Sequence, residues 1–206
     1  LHRFLKTLFY CGVEVLGNVT ADNALGEGKT LSIGGNESMT ITADSANTYG
    51  NLVIANGNGN NTDKFALRLN GGKAVSQTST ALGMGHVTLN DGLILRLAGT
   101  GTANQSDVEY TYANNIAAGK DSTIQSYNIT NKLTGVVTAA GTLNLATANG
   151  GVLNLMGGIS GSGTVNITEA SDVTLGGNQA FSGLITAGNG ANLTLTSSSA
   201  LTGDAT

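Results

Sequence analysis

The sequence has no proline and few charged residues, and both shortages restrict the kind of fold it can form. Charged residues are 11% of the 206 residues, well below the roughly 25% of an ordinary globular domain. Disorder is not indicated, because disordered chains also have few hydrophobic residues, whereas these are 40% of this chain. A chain without proline suits a structure in which nearly every backbone N–H group is needed in a hydrogen-bonded ladder. The composition therefore favours a folded β structure with a largely uncharged surface.

Cysteine, aromatic residues and basic residues are also scarce. Cys11 is the single cysteine, so an internal disulfide cannot form. Aromatic residues are 4% of the chain, so a core would need many thin layers of aliphatic side chains. The net charge is -4 and no lysine or arginine follows Lys132. A nucleic-acid partner is therefore not expected, since phosphate binding needs clustered positive charge. No segment approaches the roughly 18 consecutive apolar residues of a membrane-spanning helix.

The two ends of the sequence differ in character. Residues 1–12, LHRFLKTLFYCG, are basic and aromatic, as in the remnant of a secretory signal or in sequence of artificial origin. The last residues, LTGDAT, stop in the middle of a repeat pattern. We therefore predict an atypical leader at 1–12 and one repeat region at 13–206, cut from a longer array.

Short strands separated by tight turns dominate the chain from Val13 onward. Apolar residues recur at positions i and i+2, as in a strand with one buried face. Gly-Gly, Asn-Gly, Asp-Gly and Ser-Gly steps between them indicate turns. The segment Asn114–Lys120 comes nearest to a helical pattern, and it contains a glycine. The clearest apolar pairs are Leu31/Ile33, Met39/Ile41, Leu52/Ile54, Leu67/Leu69, Val87/Leu89, Leu93/Leu95, Leu143/Leu145, Leu153/Leu155, Val165/Ile167, Val173/Leu175 and Leu193/Leu195.

The spacing of similar strands predicts the architecture. Leu153, Val173 and Leu193 recur at equal intervals along the chain. A return after about 20 residues is typical of a solenoid whose units stack on their neighbours. A β-sandwich also has closely spaced strands, but it does not predict the longer return. We therefore expect Leu153 to stack near Val173, and Val173 near Leu193, in parallel ladders. The expected exception is Val87–Leu95, where Asn90-Asp91-Gly92 could close a hairpin.

Two segments carry a family resemblance. GGISGSGTVNI (Gly157–Ile167) and DVTLGGNQAFSGLITAGNGANLTL (Asp172–Leu195) resemble the autotransporter-associated β-strand repeat, also called the passenger-associated transport repeat. A looser resemblance extends over most of residues 31–200. Phe181 stands where that repeat usually has tyrosine, and Glu169-Ala170-Ser171 replaces its Lys-Thr-Gly.

The resemblance implies an all-β fold, a right-handed parallel β-helix (β-solenoid). It also implies a passenger domain that is secreted or displayed on the cell surface, associated with the outer membrane of a Gram-negative bacterium. In that family the passenger is exported by a C-terminal translocator barrel of the same protein. The implied partners are therefore adjacent solenoid coils and that barrel.

Two glycine-rich segments resemble parts of known ligand sites. GEGKT at Gly26–Thr30 is similar to the end of a phosphate-binding loop, but Asn23 occupies the position of the first glycine and no helix follows. GNGNNTD at Gly57–Asp63 is one imperfect copy of a calcium-binding repeat that needs tandem copies. Turns are the favoured interpretation of both, so no cofactor or metal is expected.

The chain also has a few candidate catalytic side chains. Asp107 and Glu109 in DVEYTY could act as paired carboxylates, or they could lie on an exposed face with Val108, Tyr110 and Tyr112 buried opposite, which is the favoured interpretation. His86 lacks a neighbouring ligand and is predicted to be a turn residue, and Cys11 lacks a base. Asn-x-Ser/Thr sequons, expected by chance in this composition, occur at Asn18, Asn36, Asn60, Asn104, Asn128, Asn166 and Asn192.

These observations predict a structural stalk segment without catalytic, cofactor-binding or metal-binding residues. Two alternatives remain open at this point. One is a polysaccharide-degrading enzyme on a β-helix scaffold, which would need converging charged residues that this sequence has few of. The other is an adhesin, in which exposed Thr/Asn faces and Tyr110, Tyr112 and Tyr127 contact a receptor or host glycan.

Overall fold

The computed structural model describes residues 13–16, 20–21, 31–34, 39–42, 50–54, 67–71, 76–99, 104–105, 107–178 and 180–196. Within these ranges the chain forms 22 short strands and no helix. The strands belong to three sheets, here called A, B and C, and each strand pairs in parallel with the equivalent strand of the next coil. The protein is therefore an all-β parallel solenoid, as the sequence predicted.

From β5 onward, each coil passes through sheet A, then sheet B, then sheet C, whereas the strands described before β5 belong to sheets A and B. Sheet A contains, in spatial order, β1 (Val13–Leu16), β3 (Leu31–Gly34), β5 (Leu52–Ile54), β8 (Val87–Leu89), β11 (Ile116–Ala118), β14 (Val137–Ala139), β17 (Ile159–Gly161) and β20 (Ala180–Phe181). Sheet B contains β2 (Thr20–Ala21), β4 (Met39–Thr42), β6 (Leu67–Gly71), β9 (Ile94–Gly99), β12 (Ser122–Tyr127), β15 (Thr142–Ala148), β18 (Thr164–Ile167) and β21 (Leu184–Ala187). Sheet C contains β7 (Ser76–Thr78), β10 (Glu109–Tyr112), β13 (Thr130–Leu133), β16 (Val152–Leu155), β19 (Asp172–Leu175) and β22 (Asn192–Leu195).

Coil length is regular in the later part of the described chain and longer between Leu52 and Ile116. Leu153 pairs with Val173 and Val173 with Leu193, which confirms the predicted stacking in coils of equal length. Val87, in contrast, pairs with the more distant Leu52 before it and Ile116 after it. The longer coils carry extra residues between the same strands.

The interior is built from columns of apolar side chains that run along the solenoid axis. In sheet B one column joins register partners that are all fully buried: Leu67, Leu95, Ile124, Leu145 and Ile167. The alternating sequence explains the column, because every second residue of a strand points to the same side. Burial of each such side chain stabilises the folded state by about 1.5–3 kcal/mol.

The prediction of a hairpin at Val87–Leu95 is wrong. Strand β8 belongs to sheet A and β9 to sheet B, and each pairs in parallel with other coils. Asn90-Asp91-Gly92 turns the corner between the two sheets, with Gly92 at φ 71°. A tight turn redirects the chain at a solenoid corner as well as in a hairpin, so the turn residues could not distinguish the two.

A column of glycines closes the corner between sheets A and B in the regular coils. A Cβ atom added to Gly163 would overlap the carbonyl oxygen of Gly141, and one added to Gly183 would overlap that of Gly163. The backbones of successive coils therefore approach too closely at this corner for any side chain. This contact explains the glycines that recur there.

The segment Asn114–Lys120, which comes nearest to a helical pattern in the sequence, contains strand β11. Several sequence-based predictions concern residues outside the described ranges: the leader at 1–12 with Cys11, GEGKT at Gly26–Thr30 and GNGNNTD at Gly57–Asp63.

Candidate functional site

The two carboxylates Asp107 and Glu109 lie in different surroundings. Asp107 lies in an exposed turn before β10, and Glu109 is the half-buried first residue of that strand. Tyr110 and Tyr112 are fully buried, and Val108 packs against the same core. The structure therefore has the arrangement that the sequence favours, in which the tyrosine side chains are buried and the polar residues lie on the other face of the strand.

His86 is exposed in the loop between β7 and β8, as expected of a turn residue. Its backbone N–H donates to Asn51 Oδ1 at 2.9 Å, which links this loop to the preceding coil. Among the described residues, no group of three or more His, Cys, Asp and Glu residues could hold a metal ion. The described ranges also contain no helix long and apolar enough to cross a membrane.

The sequons differ in accessibility. Asn104 and Asn192 are exposed and Asn166 is half-buried. Asn128 is fully buried, and its Oδ1 accepts a hydrogen bond from the backbone N–H of Gly99 at 2.8 Å. Asn128 is therefore a corner residue that holds β9 and not an attachment site in the folded chain. Asn18, Asn36 and Asn60 lie outside the described residues.

The outer face of sheet B carries the most developed polar cluster in the described part of the chain. We call Arg96, Gln125, Tyr127 and Asn149 the Arg96 cluster. Arg96 Nε donates to Gln125 Oε1 at 2.7 Å, and the Arg96 guanidinium carbon lies 5.2 Å from the centre of the Tyr127 ring. Asn149 Nδ2 donates to the Tyr127 hydroxyl at 3.3 Å. The guanidinium is thus fixed by a hydrogen bond and a cation–π contact.

The strand register and the following corners bring these residues together. Gln125 is the register partner of Arg96 between β12 and β9, and Tyr127 is the next residue on the same face. Asn149 has a positive φ of 56° in the turn after β15. Arg96 is only 8% exposed, while Gln125 and Tyr127 are half-buried and Asn149 is exposed. The cluster therefore presents amide and hydroxyl groups at its rim, while Arg96 is largely covered.

A second polar feature on sheet B is a ladder of side chains in successive coils. Asn166 Nδ2 donates to Asn144 Oδ1 at 2.9 Å, and Thr186 Oγ1 donates to Asn166 Oδ1 at 3.1 Å. Asn144 Nδ2 in turn donates to the carbonyl of Ser122 at 3.3 Å. Because these groups satisfy one another across coils, the ladder stabilises stacking.

The three tyrosines considered for an adhesive surface are not equivalent. Tyr110 and Tyr112 are fully buried and cannot contact a receptor, so that part of the adhesin alternative is wrong. Tyr127 is half-buried and belongs to the Arg96 cluster. Sequence reasoning missed Arg96, Gln125 and Asn149, because their proximity depends on pairing between strands that are far apart in sequence.

The chain matches no family model, and comparisons with curated proteins and with solved structures find nothing similar to it. The parallel β-solenoid therefore rests on the strand register itself.

Proposed function

We propose that this chain is a structural stalk segment of a secreted or surface-displayed passenger of the autotransporter type, and that it is not an enzyme. The observation that carries the proposal is the unbroken series of parallel ladders, in which all three sheets continue from β8 to β20 or beyond in register. Each coil contacts its neighbours, so the length of such a shaft increases with the number of coils.

The outer surface also supports a spacer role. Its strand faces are largely Thr, Ser and Asn, as in the row of register partners Thr111, Lys132, Asn154, Thr174 and Thr194 on sheet C. Apart from Lys132, the side chains of this row are uncharged and polar, so they keep the shaft hydrated without creating a strong electrostatic field for one ligand. The repeats at Gly157–Ile167 and Asp172–Leu195 support the autotransporter assignment by resemblance.

A whole-coil insertion tests the stalk function. Residues 159–178 form one complete coil, because Ser160 pairs with Ala180. We expect the full chain to tolerate four extra in-register copies of this segment and to lengthen by about 19 Å, since adjacent strands are about 4.8 Å apart. Small-angle X-ray scattering would measure the change.

The matched control inserts residues 159–168 alone, about half a coil. This insertion adds one sheet A strand and one sheet B strand, so the following sheet A sequences fall in sheet C positions and sheet B sequences in sheet A positions, which should disrupt folding. A whole-coil insertion that unfolds the chain, or cleavage of acidic plant or host glycans by the unaltered chain, would contradict the stalk function.

A further inference from the structure

A buried glycine interrupts the row of residues that directly follows the strands of sheet C. Met156, Gly176 and Thr196 occupy equivalent positions in three successive coils. The backbone N–H of each donates to the carbonyl at the end of the sheet C strand in the preceding coil, at 2.7, 2.9 and 3.0 Å respectively. Gly176 has no side chain of its own, yet it is buried. Side chains of the neighbouring coils must therefore cover it.

The side chains of Met156 and Thr196 provide this cover. Met156 Cε lies 2.8 Å and Met156 Sδ 3.0 Å from the position that a Cβ atom on Gly176 would occupy, and Thr196 Oγ1 lies 2.8 Å from the same position. Thr196 Oγ1 also donates to the carbonyl of Leu175 at 3.5 Å. Methionine suits such a gap because its side chain is unbranched and flexible. The thioether therefore takes the space of a missing side chain and packs between three coils.

The thioether of Met156 is also a group that a peroxide can oxidise. Met156 is half-buried, so a molecule as small as hydrogen peroxide can reach it from solvent. In the reaction a lone pair of Sδ attacks one peroxide oxygen, and the S–O bond forms as the O–O bond breaks. The bound oxygen gives its proton to the departing hydroxide, which leaves as water. Sulfur loses two electrons, the peroxide gains two, and the product is the polar methionine sulfoxide.

We propose that Met156 is a peroxide-sensitive modification site, and that its oxidation to the sulfoxide loosens the contacts of Gly176 and Thr196 with the coils before them. The space over Gly176 is filled, and the sulfoxide oxygen adds both volume and a group that requires water. The backbone hydrogen bonds of Gly176 and Thr196 lie beside this space, so local opening becomes easier. This site goes beyond the stalk function and does not depend on it, since the reaction needs only the thioether and a peroxide.

Treatment of the full chain with hydrogen peroxide tests the site, with peptide mass spectrometry and amide hydrogen exchange as the measurements. We expect Met156 to be oxidised in the folded chain, but more slowly than Met84, which is 66% exposed in the loop before β8. Oxidation should then speed exchange of the Gly176 and Thr196 amides about tenfold, which corresponds to about 1.4 kcal/mol of local opening free energy. Exchange of the Leu145 amide in sheet B should not change.

Three variants serve as controls. Met156→Leu keeps a side chain of similar volume that peroxide does not oxidise, so its exchange should not respond to peroxide. Met84→Leu should respond as the unaltered chain does, and Met39 is present in every variant. In Gly176→Ala the added Cβ displaces the end of the Met156 side chain. Met156 should then be oxidised faster than in the unaltered chain, without a further increase in exchange.

Three results would overturn the proposal. One is a Met156 that stays unmodified in the folded chain while Met84 is converted. Another is oxidised Met156 with unchanged exchange of the Gly176 and Thr196 amides. The third is a Met156→Leu variant that responds to peroxide as strongly as the unaltered chain, whether in exchange or in loss of its native circular dichroism spectrum, because the response would then come from another part of the chain.

Discussion

Two regions of the solenoid close their corners in different ways. In the regular region, residues 116–195, successive coils of nearly equal length meet through glycine backbones, as at Gly163 and Gly183. In the inserted region, residues 50–115, a side chain bridges the coils at the corner between sheets C and A: Asn114 Nδ2 donates to the carbonyls of Gly83 at 3.0 Å and Gly85 at 2.8 Å. Glycine permits close stacking of equal coils, whereas asparagine holds a loop that extends beyond the corner.

The largest expected effect tests the glycine corner. Gly163→Ala places a Cβ on the carbonyl oxygen of Gly141, so the coils must separate locally. We expect a loss of about 3 kcal/mol in the free energy of unfolding, measured by urea denaturation. Gly92→Ala in the inserted region is the control: it has a φ of 71° but no atom near the added Cβ, so only backbone strain is introduced. That strain costs about 1 kcal/mol. Equal losses of unfolding free energy in Gly163→Ala and Gly92→Ala would show that close packing of the backbones does not distinguish the two corners.

A smaller effect tests the asparagine bridge. Asn114→Ala removes two hydrogen bonds from a residue that is 6% exposed. We expect a loss of about 2 kcal/mol, with faster amide hydrogen exchange at Ala81–His86. Asn115→Ala is the neighbouring control, because exposed Asn115 accepts a single bond from the Val136 N–H. That change should cost about 1 kcal/mol and leave exchange in the loop unaltered. Unchanged loop exchange in Asn114→Ala would refute the bridge.

The smallest effect is a gain of stability within the regular region. Ala170 has a φ of 54° at the corner between sheets B and C, where Gly190 of the next coil has a φ of 71°. A non-glycine residue in this left-handed conformation costs about 1 kcal/mol. Ala170→Gly should therefore raise the free energy of unfolding by about 1 kcal/mol, and Gly190→Ala should lower it by a similar amount. If both changes destabilise the chain, a contact of the Ala170 methyl group outweighs its backbone strain.

The sequence predicted the regular region better than the inserted one. Alternation and an even spacing of similar strands located Leu153, Val173 and Leu193 in one column, because equal coils keep sequence spacing and spatial spacing the same. The same reasoning wrongly predicted a hairpin at Val87–Leu95. Inserted residues lengthen the coils there, so similar strands no longer recur at an even spacing in the sequence.

The Arg96 cluster was beyond sequence reasoning for a related reason. Gln125 and Arg96 adjoin only through a lengthened coil, and no local motif marks that pairing. The available signal was the scarcity of charge itself, since Arg96 is one of only 9 lysine and arginine residues in the chain.

The parallel ladders also determine how the protein would extend under tension. Their hydrogen bonds run from coil to coil, so a pull on the two ends of the chain detaches one coil at a time from the end of the stack. A released coil of the regular region adds about 70 Å of contour length. The longer segment from Leu52 to Val87, which spans one coil, adds about 120 Å. A solenoid of this kind would therefore yield in steps and absorb work over a long distance before the whole chain is extended.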